Sequence, residues 1–235
     1  MTSPAIRPAI LCVLAWGLTG CPSPSIYGTA RTTPVGKASH SLSAEGLATW
    51  DEQVIDDGTM RTVRRHLQPV PSLPTYMVRV GVTESTDVGF RLAHGALLGA
   101  DLKQTILKSE FIDLALDPML QVGYSPGGWG SREEGILYAH APAIVDLNLS
   151  ESVTLVMTPG ALYASPTNAT DFGGYFARMG LGINLRLSKG FALQPEVTVL
   201  SLLGTGETPL LITGSVGFLF GALPEQGDPE DVAAP

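Results

Sequence analysis

From about residue 35 to residue 221 the chain alternates apolar and polar side chains with a period of two, and no helical period replaces it. The pattern is cleanest between Tyr175 and Ser188. Tyr175, Ala177, Met179, Leu181, Ile183, Leu185 and Leu187 fall on one face, and Phe176, Arg178, Gly180, Gly182, Asn184, Arg186 and Ser188 on the other. Successive strand side chains point to opposite sides, so one face is wholly apolar while the other carries two arginines. The division recurs with Phe191, Leu193, Val197 and Val199 against Ala192, Gln194, Glu196 and Thr198, interrupted by Pro195 on the apolar side. Leu137, Ala139, Ala141, Ala143, Val145, Leu147 and Leu149 oppose Tyr138, His140, Asp146 and Asn148, and Ile112, Leu114, Leu116, Leu120 and Val122 oppose Asp113, Asp117 and Gln121. Tyr76, Val78, Val80 and Val82 oppose Arg79, and Val88, Phe90 and Leu92 oppose Arg91. Beyond residue 20 no uninterrupted apolar run reaches the length of a membrane helix, so any crossing is made by strands.

About ten segments read this way, near 36–47, 75–83, 86–94, 96–107, 110–124, 135–149, 151–164, 173–188, 190–203 and 208–220. Tight turns fall at Glu84-Ser85, Lys108-Ser109, Ser150-Glu151 and Ser188-Lys189-Gly190. Between them lie the other connections: Trp50 to Ser72, a short one near His94-Gly95, then Ser125 to Glu134, Ser165 to Phe172, and Gly204 to Glu207. Short turns on one rim and longer loops on the other predict an all-β, antiparallel, up-and-down membrane barrel of about ten strands, with the turns in the periplasm. An even count returns both chain ends to the turn rim, and Cys21 is expected there.

Alternation alone also fits a soluble lipocalin-like barrel with its apolar face turned inward. Composition separates the two. Charged residues make up 15% of the chain, against about a quarter in soluble domains, while 44% is hydrophobic. The polar face then lines a lumen holding Lys37, Glu45, Arg79, Arg91, Asp101, Lys103, Asp113, Asp117, His140, Asp146, Arg178, Arg186 and Glu196. Ten strands enclose a narrow interior, so these charges are expected to pair across it and leave at best a thin water path, which argues against a general diffusion pore. Aromatics of the apolar face divide into two interfacial girdles, Tyr76, Tyr124, Tyr163 and Tyr175 toward the loop rim and Phe191, Phe218 and Phe220 toward the turns.

At the N-terminus Arg7 is the only charge before the apolar stretch Ala9 to Leu18, which is too short to span a bilayer. It closes on Leu18-Thr19-Gly20-Cys21, which resembles the lipobox of bacterial lipoproteins. That resemblance implies a signal peptide at 1–20 and a mature chain beginning at lipidated Cys21. A tether at 21–34 would follow, then the barrel at 35–221 and a disordered acidic tail at 222–235. Cys12 leaves with the signal, so the mature chain has neither a disulfide nor a cysteine metal site. The only non-protein group expected is the covalent lipid on Cys21. Loss of Arg7 leaves 13 basic against 22 acidic residues, which argues against nucleic acid as a partner. The expected partners are outer-membrane lipid and the assembly and lipoprotein-sorting machinery.

The last strand, Thr213 to Phe220, looks like the assembly signal of outer-membrane proteins, with Ser215 where a glycine is usual. With the lipobox, Thr29 to Lys37, Val80 to Arg91 and Gly99 to Lys103, it resembles lipoprotein-anchored outer-membrane β-barrel proteins of Gram-negative bacteria. The resemblance implies a location and a fold, not an activity. None of His40, His66, His94 and His140 has a partner at metal-ligand spacing, and His40 reads as a rim histidine. His140, with Asp113, Asp117 and Asp146 on the same face, reads as a structural hydrogen-bonding residue before an acid–base site. No Gly-x-Ser-x-Gly or His-Glu-x-x-His occurs. The omptin proteases share a ten-strand count, but no stretch matches their motifs and no residue is carried over. Arg61 to His66 reads as a solvated, charge-compensated loop, and Trp129 as a loop tip or interfacial anchor. The expected function is a non-enzymatic envelope barrel of structural or narrow-transport type in the outer membrane. The alternatives are a lipid-tethered lipocalin-like carrier of an apolar ligand and a rim-site envelope hydrolase.

Overall fold

The computed structural model describes residues 23–56, 61–71, 74–93, 97–125, 134–166, 174–203 and 210–224, which include twelve strand segments and no helix. They are β1 (Ala38–Asp56), β2 (Arg61–Pro71), β3 (Thr75–Gly81), β4 (Thr86–Ala93), β5 (Leu97–Leu107) and β6 (Ile112–Leu116). After them come β7 (Met119–Ser125), β8 (Glu134–Ser150), β9 (Val153–Pro166), β10 (Gly174–Ser188), β11 (Phe191–Leu202) and β12 (Leu210–Gly221). Each pairs antiparallel with its neighbours, and β12 returns to β1, Ser39 opposite Gly221 through Thr49 opposite Leu211, so the sheet closes. β2 and β3 both lie along β1, and β6 and β7 both lie between β5 and β8, which reduces twelve segments to ten barrel strands. Between β6 and β7 stands Pro118, which has no N–H for the ladder. Its carbonyl accepts from the N–H of Leu102 at 3.0 Å, while the N–H of Asp117 donates to Pro142 at 3.0 Å.

The stretch from Trp50 to Ser72, expected as a loop, is mostly strand. β1 is paired to β12 only as far as Thr49, and residues 50–56 continue against 61–67 as a two-stranded arm. A loop reading missed it because the arm carries polar residues at both parities and has no core-facing period to detect.

Burial follows parity around the barrel with the polarity of a membrane barrel. Leu98, Leu102, Leu120, Met179, Leu181 and Val197 face outward and are exposed. Glu45, Arg79, Asp87, Arg91, Asp101, Lys103, Asp113, Asp117, Asp146, Arg178 and Glu196 face inward and are buried. A soluble carrier would show the opposite, because water tolerates outward charge and hydrocarbon does not.

Tyr163 and Tyr175 pack 4.9 Å apart on the outer face near the loop-side ends of β9 and β10, while Phe218 and Phe220 lie near the turn-side end of β12. Phe191 opens β11 opposite Phe220 at the same rim. Tyr76 departs from the expected loop-side girdle. Its hydroxyl meets His40 Nδ1 at 2.7 Å, and His40 stacks on Phe220 at 5.3 Å, so Tyr76 belongs to the turn-side group. The side chain of Tyr124 and the whole of Trp129 lie outside the described residues. So do residues 225–235, but the first residues of the expected free tail are held. Ala222 N–H donates to Ala38 at 3.0 Å, and Leu223 is buried against Ala192 and Leu219.

Leu181 sits on the outer face in the middle of β10. Leu181→Lys is expected to lower the stability of the barrel in phospholipid vesicles by about 2–4 kcal/mol, read from its denaturant midpoint. An inward Leu181 would predict no such loss.

Candidate functional site

The lumen is filled by the chain's own residues 23–33. This segment was expected as a tether outside the folded part, and its place inside the barrel is the principal correction to the sequence reading. Next to β1 it is pinned at the turn rim, where Gly36 N–H donates to Gly81 at 2.9 Å and Thr32 Oγ1 donates to Glu84 at 2.6 Å. It then climbs the lumen. Thr33 meets Asp87 near the turn-side end of β4, Gly28 reaches Gln194, and the Ser23 carbonyl accepts from Arg91 near the loop-side end of β4. The N-terminal end of the described chain therefore does not return to the turn rim as the even strand count suggested. Cys21 lies outside the described residues.

The segment is short of side chains that can bury much apolar area, and its backbone makes most of the contact. Its N–H groups serve carboxylates: Ile26 donates to Glu196 at 3.1 Å, Ala30 to Asp146 at 2.6 Å and Thr33 to Asp87 at 3.0 Å. Its carbonyls serve cations. Arg91 donates to Ser25 at 2.9 Å and Ser23 at 3.2 Å, Lys103 to Thr29 at 3.0 Å and Arg31 at 2.5 Å, and Arg178 to Pro24 at 2.6 Å. Side chains complete the set. Ser23 and Tyr27 hydroxyls both donate to Glu45 at 2.7 Å, and Arg31 pairs with Asp113 at 2.7 Å. Ion pairs also run within the wall: Arg79 lies 2.6 Å from Asp101 and 3.0 Å from Asp117, Lys103 lies 3.0 Å from Asp87, and Arg178 lies 3.8 Å from Glu196.

Two glycines make room for the segment. A Cβ on Gly217 would strike the ring of Tyr27, and one on Gly81 would strike the backbone oxygens of Thr33 and Pro34. A residual cavity beside the segment is lined by Ser41, Arg79, Lys103, Asp117 and Asn184 among others. On the loop side, beyond Ser23, the lumen turns apolar. Ala93, Leu97, Tyr138, Leu162, Ala164, Phe176 and Leu200 pack into a collar at the loop-side ends of their strands.

The charged residues expected to line the lumen do so, with two qualifications at the turn rim. Lys37 is exposed just before β1, so its ammonium stays in water. Arg186 is half-buried at the mouth and donates to the carbonyls of Lys189 and Pro224. His140 is buried between the registers of Met119 and Leu162, with no hydrogen-bond partner for either ring nitrogen among the described residues. Asp146 lies six residues farther along β8, toward the turn rim, opposite Asp113, so no acid–histidine constellation forms. Among the described residues no group of three or more His, Cys, Asp or Glu is placed to hold a metal ion. The wall residues left out of the expected network, Asp87, Gln121 and Gln194, were legible by parity, since each shares a face with a named charge. The segment itself offered no period.

Closure of the sheet, outward apolarity and a charged lumen define a ten-stranded barrel of the outer-membrane type. No known protein family and no curated protein matches the chain. Among solved structures it is similar to Ail of Yersinia pestis (13% identity, TM-score 0.35, covering 80% of this chain and 99% of that one). It is also similar to the translocator domain of the autotransporter NalP from Neisseria meningitidis (12%, 0.39, 92% and 95%). The transport unit of the autotransporter AIDA-I from Escherichia coli is a third (9%, 0.44, 91% and 97%). The barrel assignment rests on the chain's own strand register and not on these distant likenesses.

Arg79 is buried and holds two aspartates at once. Arg79→Met leaves both without it, and is expected to destabilise the barrel by about 3–5 kcal/mol in guanidinium unfolding. Adding Asp101→Asn and Asp117→Asn should recover part of that loss.

Proposed function

We propose that this protein is an outer-membrane barrel of structural or narrow-transport type, closed at rest by its own N-terminal segment. The observation that carries the reading is the occupancy of the lumen by residues 23–33, bonded to the wall along their length. A general diffusion pore needs a standing water-filled lumen, which this arrangement does not leave. A carrier of apolar ligands needs an apolar cup, whereas most of this lumen is charged.

Lipid anchoring at Cys21 belongs to the same proposal and rests on Leu18-Thr19-Gly20-Cys21. Metabolic labelling with palmitate is expected in the wild type and absent in Cys21→Ser. The Cys21→Ser chain, exported with an ordinary signal peptide, should resist carbonate extraction and change gel mobility on boiling. Release by carbonate as a soluble protein would refute the integral barrel.

Closure has its own test. Gly217→Leu puts a side chain where the ring of Tyr27 lies. The variant should stay heat-modifiable while trypsin gains access to the bond after Arg31, which is protected in the wild type. Equal protection in both would count against the segment's seat beside Gly217.

A further inference from the structure

The buried lumen wall carries seven carboxylates, Glu45, Asp87, Asp101, Asp113, Asp117, Asp146 and Glu196, against four cations, Arg79, Arg91, Lys103 and Arg178, an excess of three negative charges. Counting half-buried Arg186 at the mouth still leaves an excess of two. The two halves of this wall are held differently. Asp101 and Asp117 share Arg79, a wall residue. The other five carboxylates all take a hydrogen bond or an ion pair from the segment: Glu45 from Ser23 and Tyr27, Asp87 from Thr33, Asp113 from Arg31, Asp146 from Ala30 and Glu196 from Ile26. One oxygen of Asp146, a residue with no solvent exposure, has no hydrogen-bond partner among the described residues. When the segment leaves, it removes the cation Arg31 and every one of those N–H and O–H donors, and the wall it uncovers is acid-rich. Rings of carboxylates in a narrow passage admit cations and exclude anions.

We propose that the N-terminal segment is the closing element of a cation-selective lumen: once residues 23–33 withdraw, the barrel passes small monovalent cations in preference to anions. This rests on the closed-barrel reading above and adds the class of solute and the element that controls it. The apolar collar carries no charge, so it bears on the size of the current and not on its sign.

Proline has no N–H, so the full-length triple variant Ile26→Pro, Ala30→Pro, Thr33→Pro deletes three of the donors without altering the wall. Its counterpart Ile26→Val, Ala30→Ser, Thr33→Ser keeps them. Each is first checked for a boiling-dependent mobility shift, which reports the barrel independently of conduction, and then placed in planar bilayers under a potassium chloride gradient. A second proline variant carries Leu200→Ala to thin the collar. The expected result is a several-fold rise in conductance for the proline variants, with a reversal potential on the potassium side, and currents close to wild type for the counterpart. Chloride preference, no preference, or closed behaviour in both proline variants while either is heat-modifiable would overturn the inference and leave the barrel reading standing. If neither proline variant assembles, the rare openings of the unmodified chain are read in the same gradient. Potassium preference there supports the inference, and chloride preference or openings without selectivity overturn it. Loss of the mobility shift in the wild type as well would instead remove the barrel reading itself.

Discussion

Seven carboxylates and four cations turned into a lumen closed by ten strands have too little water to solvate them, and burial of an unpaired charge is costly. Here a peptide backbone takes the place of water. An extended segment presents N–H and C=O groups alternately along its length, so one strand of chain can donate to Glu196 and accept from Arg178 at nearly the same height. Side chains alone could not do this without a counter-charge for each wall residue, and the wall has three more carboxylates than cations. Barrel and segment are thereby interdependent. The wall orders a sequence with little intrinsic structure, and the segment in turn makes a charged interior tolerable.

The lumen is layered along its axis by what lies opposite each strand position. Near the turns Arg31 pairs with Asp113, and separately Arg186 donates to Pro224 while Leu223 is buried against Ala192 and Leu219, so the first residues after the last strand help to seal that end. In the middle Arg79, Asp101 and Asp117 form an ion cluster made wholly by the wall. Toward the loops charge gives way to packed Leu97, Leu162, Phe176 and Leu200. Solute moving along this axis meets a polar, occupied half before an apolar constriction, an order that suits a closed or sparingly open barrel better than a permanent channel.

Much of the wall was readable in advance because parity is local. Arg178 and Glu196 point inward and Met179 and Leu181 outward for the same reason, and closure of the sheet could not reverse either without placing charge in hydrocarbon. The errors fall where local pattern is silent. Lys37 precedes the first strand and escapes to water, and the direction of Tyr76 is set by His40 and Phe220 across the strand pair, not by its own position in β3. The β1–β2 arm is held by a partner strand, not by an apolar face.

By itself, then, the sequence determined the strand count, the face most strand residues show and the polar character of the interior, since all three follow from a two-residue period and the solvent each face requires. What fills that interior was decided only in three dimensions. Residues 23–33 have no period, few large side chains and the composition of a linker. Their bonding partners lie from 6 residues away at Ser39 to 190 at Ser215, and the distant ones come within reach only when β12 closes on β1. A segment whose contacts are made mainly through its backbone leaves almost no signature in its own side chains.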